Sequence, residues 1–371
     1  MLKSKLLKSV FIVLKTMIIT GVSICSIANV ACSISTEGIK LLQGDYESPV
    51  LKRFSVENSK TLGFVFSEKV SFSNCSISTV EDENSNPLTR IKDVSIQSIE
   101  EVNSEDNESN FKVVIDSDMV VGRNYIFYGV ITDEKGNSLT LEVPFKGFNS
   151  RIAEIVMTEI QSASVGSQTK NEKELGIYRN EYVEFLCMKS GNLSGLELIS
   201  GYDGEEKKYV FPSVEVKRND IIVVHLRNRG CGCINEIGSN LNEAYSSYTN
   251  PKVRDLWSSE EGTVLGNKTD VIVLRNQFDG SIKDAVFYRD SNVESWSKDM
   301  ERLAMLASEY GMYESYEPDF ASITDGLTDT KTISRKDNGI ISTYILNGLN
   351  CGRPKTDSET WIVTTATPGE L

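Results

Sequence analysis

The chain has 371 residues, with 39 Lys and Arg, 53 Asp and Glu and a single His, which gives a formal net charge of −14. Nucleic-acid affinity comes largely from Lys and Arg side chains that neutralise phosphates. This acidic balance therefore excludes nucleic acid as an expected partner, and it disfavours direct contact with anionic lipid headgroups. A chain of this length exceeds one ordinary hydrophobic core, so we expect two domains.

Residues 1–31 have the organisation of a secretory signal peptide. Four lysines precede a largely apolar run, 17–31, that closes on small residues, an order typical of export signals. The run is shorter than the roughly 20 apolar residues of a membrane span. Its removal takes away four lysines and no acids, so the net charge changes from −14 to −18. The lysines are Lys3, Lys5, Lys8 and Lys15.

The exit of this segment resembles a relaxed bacterial lipobox, Val30-Ala31-Cys32, in which the cysteine becomes the lipid-bearing first residue of the mature chain. Asn29 departs from that motif, which usually has an aliphatic residue there. Lipidation at Cys32 predicts an exported protein anchored in the cell envelope, on the periplasmic face or at the cell surface. The alternative is ordinary cleavage after Ala28 or Ala31, which leaves a soluble secreted protein.

Residues 32–48 are polar and are predicted to form a tether. Residues 49–148 alternate short apolar stretches with turn-forming clusters, which predicts a β-sandwich of about 100 residues. The acidic stretch 100–110 is predicted to be an exposed loop. The expected strands are 61–66, 70–72, 111–115, 124–130 and 139–143.

Two stretches of this region, TLGFVFSEKV at 61–70 and VGRNYIFYGVITDEKGNSL at 121–139, resemble the bacterial Ig-like domain of surface-layer and envelope proteins. The resemblance implies a spacer or adhesion module. The sequence after Asp133 predicts a hairpin turn in which Gly136 and Asn137 adopt positive φ.

Residues 150–371 again alternate strands and turns, which predicts a second all-β domain. The expected strands are 151–160, 181–186, 193–198, 208–212, 220–226, 270–274 and 282–288.

Four motifs occur in order in this region: NEYVEF at 180–185, LSGLEL at 193–198, TDVIVLRNQFDGSIKDAVFY at 269–288 and TPGEL at 367–371. Together they resemble the lamin-tail domain, an Ig-like β-sandwich found in nuclear lamins and in exported bacterial proteins. The resemblance implies binding or structural work without a catalytic set. The expected fold is therefore two Ig-like sandwiches in tandem after a signal peptide.

The segment 291–360 departs from the lamin-tail pattern and is predicted to be a helical insertion. Apolar residues in 296–310 recur at helical spacing, so we expect a helix that covers the sandwich, followed by a long connection to the final strand. The apolar positions are Trp296, Met300, Leu303, Leu306 and Ala307.

His225 is the only histidine and lies in an apolar strand, which favours a structural role. A nucleophile–base pair would have to use His225, and the sequence contains neither a G-x-S-x-G elbow nor a phosphate-binding loop. No catalytic residue, metal or cofactor is predicted, and a hydrolase site around His225 is the enzymatic alternative. Glu159 and Glu184 are interpreted as structural acids that end a strand edge or pair with a cation.

Export favours a disulfide among four cysteines, from Cys231 or Cys233 to Cys187 or Cys351. Free thiols are one alternative. A metal site built from His225, Cys231 and Cys233 is another, although the C-x-C spacing is tighter than the usual zinc knuckle.

These observations predict a non-catalytic envelope lipoprotein that acts as a structural, scaffolding or protein-binding module. Its partners would be the membrane, through the lipid on Cys32, and another protein or an envelope glycan. The alternative is an adhesin that binds carbohydrate or a host surface. Its ligand would contact five tyrosines in loop-like stretches: Tyr245, Tyr248, Tyr310, Tyr313 and Tyr316.

Overall fold

The computed structural model describes residues 32–35, 38–41, 47–80, 90–102, 108–163, 181–228, 232–246, 248–259, 262, 264–336, 341, 347 and 356–371. It is mostly β-sheet, as the sequence predicts. The predicted signal peptide lies outside the described residues.

The predicted tether contains a short antiparallel pair. Strands β1, Cys32–Ser35, and β2, Gly38–Leu41, pair with Cys32 opposite Leu41. The polar segment therefore has strand structure that begins at Cys32, the predicted lipidation site. The sequence analysis did not predict these strands.

The region 47–148 forms two four-stranded antiparallel sheets. Their strands are β3 Leu51–Asn58, β4 Thr61–Phe66, β5 Val70–Val80, β6 Arg90–Val94, β7 Ile96–Val102, β8 Ser109–Ile115, β9 Asn124–Asp133 and β10 Ser138–Lys146. One sheet has the order β3-β4-β8-β7 and the other the order β10-β9-β5-β6. All five strands expected in this region are confirmed, although several extend further than the apolar stretches did.

Side chains from both sheets share one hydrophobic core, because alternate residues of each strand point to the same face. Phe64 is its centre: its ring lies 4.7 Å from Phe127, 5.0 Å from Phe54 and 6.0 Å from Phe72, each in a tilted or edge-on arrangement. Such aromatic pairs add about 0.5–1.5 kcal/mol each beyond area burial. Phenylalanines from both sheets therefore meet within this core, together with aliphatic side chains.

The hairpin between β9 and β10 confirms the predicted turn in part. Asp133 Oδ1 accepts hydrogen bonds from Lys135 N and Asn137 N, both at 2.8 Å. Gly136 has a φ of +94°, whereas Asn137 is not among the residues with positive φ. The Asp133 side chain and one glycine are sufficient to close this turn.

The prediction of an exposed loop at 100–110 is wrong at both ends. Residues 100–102 belong to β7, with Glu100 opposite Lys112 and Val102 opposite Asn110, and β8 begins at Ser109. β7 is an edge strand with a largely exposed side-chain pattern. Such a strand needs little apolar sequence, and its charges discourage pairing with other chains.

The region 151–371 contains a six-stranded sheet and a five-stranded sheet. The six-stranded sheet has the order β18-β17-β12-β11-β22-β23 and the five-stranded sheet the order β15-β14-β19-β20-β21. β13 and β16 form a separate pair, and the β17–β18 and β20–β21 pairs are parallel. The strands are β11 Glu154–Gln161, β12 Tyr182–Lys189, β13 Gly191–Asn192, β14 Leu196–Ser200, β15 Tyr209–Val210, β16 Glu215–Val216, β17 Ile221–His225, β18 Arg254–Trp257, β19 Asp270–Asn276, β20 Ile282–Arg289, β21 Ser322–Ile323, β22 Lys331–Arg335 and β23 Trp361–Thr365.

The two sheets enclose a core to which alternate residues of each strand contribute. On β12 these are Val183, Phe185 and Cys187, and on β17 they are Ile222 and Val224, all fully buried. The intervening residues of the same strands point to the opposite face of the six-stranded sheet. That second face is also buried, and the functional description below concerns it.

The junction between the two regions is packed. Asn149 is buried and its Nδ2 donates to the carbonyl oxygens of Asn192, at 2.9 Å, and Ser194, at 2.7 Å. The Phe148 ring lies 5.4 Å from the Phe278 ring. These contacts tie the connecting residues to the second region.

The predicted helix is confirmed as α1, Lys298–Glu309. Met300, Leu303, Ala304 and Ala307 are buried and pack on apolar side chains of β14, β19 and β20. α1 therefore covers the outer face of the five-stranded sheet. Within the described part of the chain, no helix combines the length and apolar character needed to cross a bilayer.

The predicted helical insertion also contributes strands, which is a correction to the expected organisation. β21 and β22 both lie within 291–360, and β22 is inserted between β11 and β23 of the six-stranded sheet. Its sequence, KTISR, has one apolar residue, yet Thr332 and Arg335 are buried. Such a strand gives almost no hydrophobic pattern to detect.

Replacing Leu303 with Ala should destabilise the second region by about 2–5 kcal/mol, because it removes a fully buried side chain from the interface between α1 and the sheet. The matched change Met305→Ala, at an exposed position of the same helix, should stay within about 0.5 kcal/mol of the parent. Urea denaturation followed by far-UV circular dichroism measures both. Equal losses in the two variants would contradict the described packing of α1.

Candidate functional site

The outer face of the six-stranded sheet carries polar side chains that are nevertheless buried. We call this group the outer-face cluster. All of its members are at most 3% exposed. A buried polar group is costly unless it is hydrogen-bonded. The acids and the Tyr182 hydroxyl have partners, whereas His225 Nδ1 and Trp257 Nε1 have none among the described residues. The members are Glu159 on β11, Tyr182 and Glu184 on β12, His225 on β17, and Asp255 and Trp257 on β18.

Two carboxylates form the centre of this cluster. Glu159 and Glu184 are direct cross-strand partners in the β11–β12 ladder, next to an irregularity between Met157 and Glu159. The hydroxyl of Tyr182 donates to Glu159 Oε1 at 2.7 Å, and the hydroxyl of Thr158 donates to Glu184 Oε1 at 2.6 Å. Like charges directly opposite one another destabilise a sheet, so this pair needs compensation.

A segment after β23 supplies that compensation, and we call residues 366–369 the strap. Thr367 donates its backbone N–H to Glu159 Oε1 at 2.9 Å and its hydroxyl to Glu159 Oε2 at 3.0 Å. Gly369 donates its N–H to Glu184 Oε2 at 2.7 Å, and its φ is +82°. The two carboxylates thereby hold the strap across the sheet.

Burial controls the electrostatics of the pair. Removal from water, together with the nearby charge of Glu159, raises the pKa of Glu184 from 4.5 to about 8, against the lowering effect of the bonds from Thr158 and Gly369. The same two causes raise the pKa of the Tyr182 phenol above its ordinary range. The raised pKa favours the protonated form of Glu184, which relieves the repulsion between the two acids.

His225 and Asp255 form a second buried pair on the same face. His225 Nε2 lies 2.6 Å from Asp255 Oδ1, and the imidazole stacks on Trp257 with the ring centres 3.9 Å apart and the planes 13° apart. The other Asp255 oxygen accepts the Asn250 N–H at 3.1 Å. His225 is completely buried, as the predicted structural role requires.

The loop between β17 and β18 is organised by a third carboxylate. Glu236 is completely buried. Its Oε1 accepts the N–H groups of Glu243, at 3.1 Å, and Ala244, at 3.2 Å, while its Oε2 accepts that of Asp255 at 2.8 Å. The Glu236 carbonyl oxygen accepts a hydrogen bond from Arg254 Nη1. One side chain thus fixes both the loop and the edge of the sheet.

The chemistry open to this face is limited by how its groups are used. His225 and Asp255 have the contact of a catalytic dyad, but the imidazole is closed off by Trp257 and no described hydroxyl or thiol is hydrogen-bonded to it. Among the described residues, no group of three or more His, Cys, Asp or Glu side chains could hold a metal ion. The Glu159, Glu184 and Asp255 carboxylates instead accept hydrogen bonds from other parts of the chain.

The structure describes two of the four cysteines of the predicted disulfide, Cys187 and Cys233. Cys187 and Cys233 have free thiols in the structure, and burial raises the pKa of Cys187 to about 12. Cys187 is in the core, and its Sγ donates to Lys189 O at 3.4 Å. Cys231 and Cys351 lie outside the described residues, as does any His225–Cys231–Cys233 site. The disulfide stays a prediction.

The five predicted contact tyrosines differ in their surroundings. Tyr245, Tyr310 and Tyr316 are exposed. Tyr248 is partly buried and its ring lies 5.6 Å from the Tyr182 ring. Tyr313 is the correction: it is buried under α1, stacks on Phe287 at 3.7 Å and accepts the Phe287 N–H at 2.9 Å. It cannot contact an external ligand because the fold uses both its ring and its hydroxyl.

The hydrogen-bond partners of Glu159 and Glu184 differ from those predicted. Both acids are structural, but they lie on central strands and bond to Tyr182, Thr158 and the strap rather than ending an edge or pairing with a cation. Glu236 and Asp255 were missed. An isolated acid in a loop and an acid inside the strand RDLW give no local signal of a buried pair.

The described residues thus define a β-sheet protein whose second region buries a polar sheet face. A family model described as "TP_1001 protein second domain" matches residues 153–363, which is more than half of the chain, and the chain belongs to this family. The match contains all members of the outer-face cluster and ends just before the strap.

A protein of Treponema pallidum (strain Nichols), named "Uncharacterized protein", is 25% identical over 209 residues, which are 54% of this chain and 50% of that protein. The chain therefore matches about half of that relative's length. Among solved structures, the N-terminal part of the bacterial S-layer protein SbsC aligns with 66% of this chain and 44% of its own, at 14% identity and a TM-score of 0.23. That score is too low to define a shared fold.

Stability should depend on the protonation of Glu184. Its folded pKa of about 8 exceeds the ordinary 4.5, so the stabilising contribution of the protonated acid is full below pH 4.5 and is lost as the pH rises through 8, on the order of 5 kcal/mol in total. Glu184→Gln mimics the protonated acid and should reduce this dependence, whereas Glu154→Gln, at an exposed position of β11, should not. Urea denaturation at pH 5, 6.5 and 8 tests this. An unchanged slope in Glu184→Gln would refute the assignment.

Glu236→Gln should destabilise the second region by about 1–3 kcal/mol, because an amide offers one acceptor oxygen where three backbone N–H groups converge on two. Glu243→Gln is the control, since among the described residues the Glu243 carboxylate accepts a single bond, at 3.4 Å from Asn240. Hydrogen exchange read by mass spectrometry should show faster exchange at Ala244 and Asp255 in Glu236→Gln alone. Identical exchange in both variants would contradict the role given to Glu236.

Proposed function

We propose that this chain is an exported, lipid-anchored protein of the bacterial cell envelope and that its β-rich regions act as a non-catalytic structural, scaffolding or protein-binding module. In the finer form of the proposal, the two regions are Ig-like sandwiches in tandem. The first would be of the surface-layer type and the second a lamin-tail domain with an insertion at 291–360.

The hydrogen bonds that the buried acids accept are the observation that supports this proposal. Three buried acids, Glu159, Glu184 and Glu236, accept N–H groups from the strap and the β17–β18 loop. In an enzyme, groups of this kind face a cleft and touch the substrate. Here they face other parts of the chain. Such an arrangement supports a structural, scaffolding or protein-binding module.

The sequence supports the export and anchoring part of the proposal. Basic residues, an apolar run and a small-residue exit precede Cys32. The acyl chains of a lipidated cysteine bury methylenes at about 0.8 kcal/mol each. A lipid is needed for attachment under this proposal because the mature chain is too acidic to adhere to anionic headgroups.

The positions of the strands support the finer assignment. The motifs that resemble the Ig-like domain include β4 and β9, and those that resemble the lamin-tail domain include β12, β14, β19 and β20. The motif TPGEL contains Thr367 and Gly369, the two strap residues that contact the acids. Thr367 and Gly369 thus belong both to the motif that resembles the lamin-tail domain and to the contacts with the buried acids.

A second candidate function is adhesion to glycans, which the exposure of Tyr310 and Tyr316 favours. Aromatic rings with one apolar face and a polar tip suit contacts that are partly wet. A glycan array probed with the parent and with Tyr310→Ala distinguishes this candidate, because a structural module predicts no ring-dependent signal.

Radioactive or clickable palmitate added to cells that produce the chain should label it, and Cys32→Ala should abolish the label. Cys75→Ala, which changes a cysteine on β5, should retain it. Protease treatment of intact cells, compared with lysed cells, then reports the side of the membrane. Labelling that survives Cys32→Ala, or a parent that is never labelled, would remove the anchor from the proposal.

A further inference from the structure

The strap is attached to the six-stranded sheet by hydrogen bonds rather than by apolar packing. Thr367 makes two bonds to Glu159, at 2.9 and 3.0 Å, and Gly369 makes one to Glu184, at 2.7 Å. Thr367 is itself exposed and the other strap residues are half-buried. Among the described residues, the hydrophobic cores include no member of the strap. The attachment therefore depends on the state of two carboxyl groups.

The strap begins where the ladder of β23 ends. The last ladder pair of β23 joins Thr365 to Lys331. Beyond it, the Ala366 N–H donates to Thr330 O at 3.4 Å, which is long for a hydrogen bond. A segment with few buried apolar contacts opens at a lower free energy than core strands do. The strap can therefore leave the acid pair while β23 stays in the sheet.

The acid pair beneath the strap has no cation to balance it. The described groups that act on the Glu184 carboxyl are Thr158, Glu159 and Gly369, and none of them is positively charged. On β22, the residue opposite Glu159 is Ser334. Both carboxyl groups belong to residues that are at most 1% exposed. Two negative charges at this place would face each other without water between them.

The other described titratable groups on this face leave the charge beneath the strap to the two acids. The Tyr182 hydroxyl donates to Glu159, and its ring lies 5.6 Å from the Tyr248 ring and 6.4 Å from the His225 ring. Phenols are neutral below about pH 10. His225 and Asp255 are bonded to each other. None of these groups supplies a free positive charge to the acid pair.

We propose that the strap is a pH-dependent latch, which closes on the acid pair when the pair carries one negative charge and opens when both acids are ionised. The N–H and hydroxyl donors of the strap stabilise one charge. A second charge would be held out of water and opposite the first, which is destabilising. The pH around the chain then sets how much of the outer-face cluster meets water. This latch requires neither a lipid anchor nor a partner.

Closing the latch takes up a proton. In the closed form, burial and the charge of Glu159 raise the pKa of Glu184 to about 8, although the bonds from Thr158 and Gly369 lower it. In the open form the carboxyl regains water, and its pKa approaches the ordinary 4.5. The ratio of closed to open strap is therefore constant below pH 4.5. It falls by up to about 10-fold per pH unit between the two values and is constant again above pH 8.

Hydrogen exchange of the full chain, read by NMR at single amides, measures this ratio. After correction for the intrinsic pH dependence of exchange, the protection factors of the Thr367 and Gly369 amides should fall at least about 10-fold between pH 6 and pH 8. The amides of β12 should stay at least about 100-fold better protected at each pH, because the strap opens without the sheet.

Three variants separate the causes. Glu184→Gln cannot carry the second charge, so its strap protection should change less than about 2-fold between pH 6 and pH 8. Glu370→Gln, at an exposed acid next to the strap, should keep the pH dependence of the parent. Gly369→Ala should lower the protection of Thr367 at least about 10-fold at pH 6. The φ of Gly369 is +82°, and a Cβ there would lie 2.6 Å from Asn250 Nδ2.

A strap that is protected as strongly as β12 at pH 6 opens only when the sheet unfolds, and this result would overturn the latch. Protection that is independent of pH in the parent, or that depends on pH as strongly in Glu184→Gln, would also overturn it. Far-UV circular dichroism shows whether each variant is folded. If Glu184→Gln does not fold, the parent decides by itself, through the pH dependence of strap protection and its difference from β12.

Discussion

Backbone N–H groups that end on buried carboxylates are the interaction on which the second region depends. Glu236 holds the β17–β18 loop, and Glu159 and Glu184 hold the strap. A hydrogen bond of this kind typically contributes about 0.5–1.5 kcal/mol, and a buried donor left without its acceptor costs about 1–3 kcal/mol. Irregular segments otherwise carry unpaired backbone groups that favour solvent. With these acids in place, both faces of the six-stranded sheet can be covered.

The all-β class and most strands could be predicted because apolar alternation is a local signal. Thr61–Phe66 and Ile282–Arg289 have enough buried positions to be recognised without any neighbour. The helix was predictable for the same reason, since Met300, Leu303 and Ala307 repeat at helical spacing. Strand β22 was not, because Thr332 and Arg335 are buried by partners that are remote in sequence, such as Met157 O for Arg335 Nε.

The candidate site was less predictable because its members come from distant parts of the chain. Glu159 and Thr367 are 208 positions apart, and His225 and Asp255 are 30 apart. No single stretch shows that an acid will be buried opposite another acid. Tyr313 illustrates the same limit: a tyrosine in a loop-like stretch suggests exposure, and only the stacking on Phe287 shows that it belongs to the core.

The position of the strap in the sequence has a consequence for biogenesis. Synthesis from the N-terminus delivers residues 366–369 after every strand of the six-stranded sheet, so Glu159 and Glu184 wait for their N–H donors until almost all of the described chain has emerged. Until then the sheet has an open face with two facing acids, which opposes premature closure.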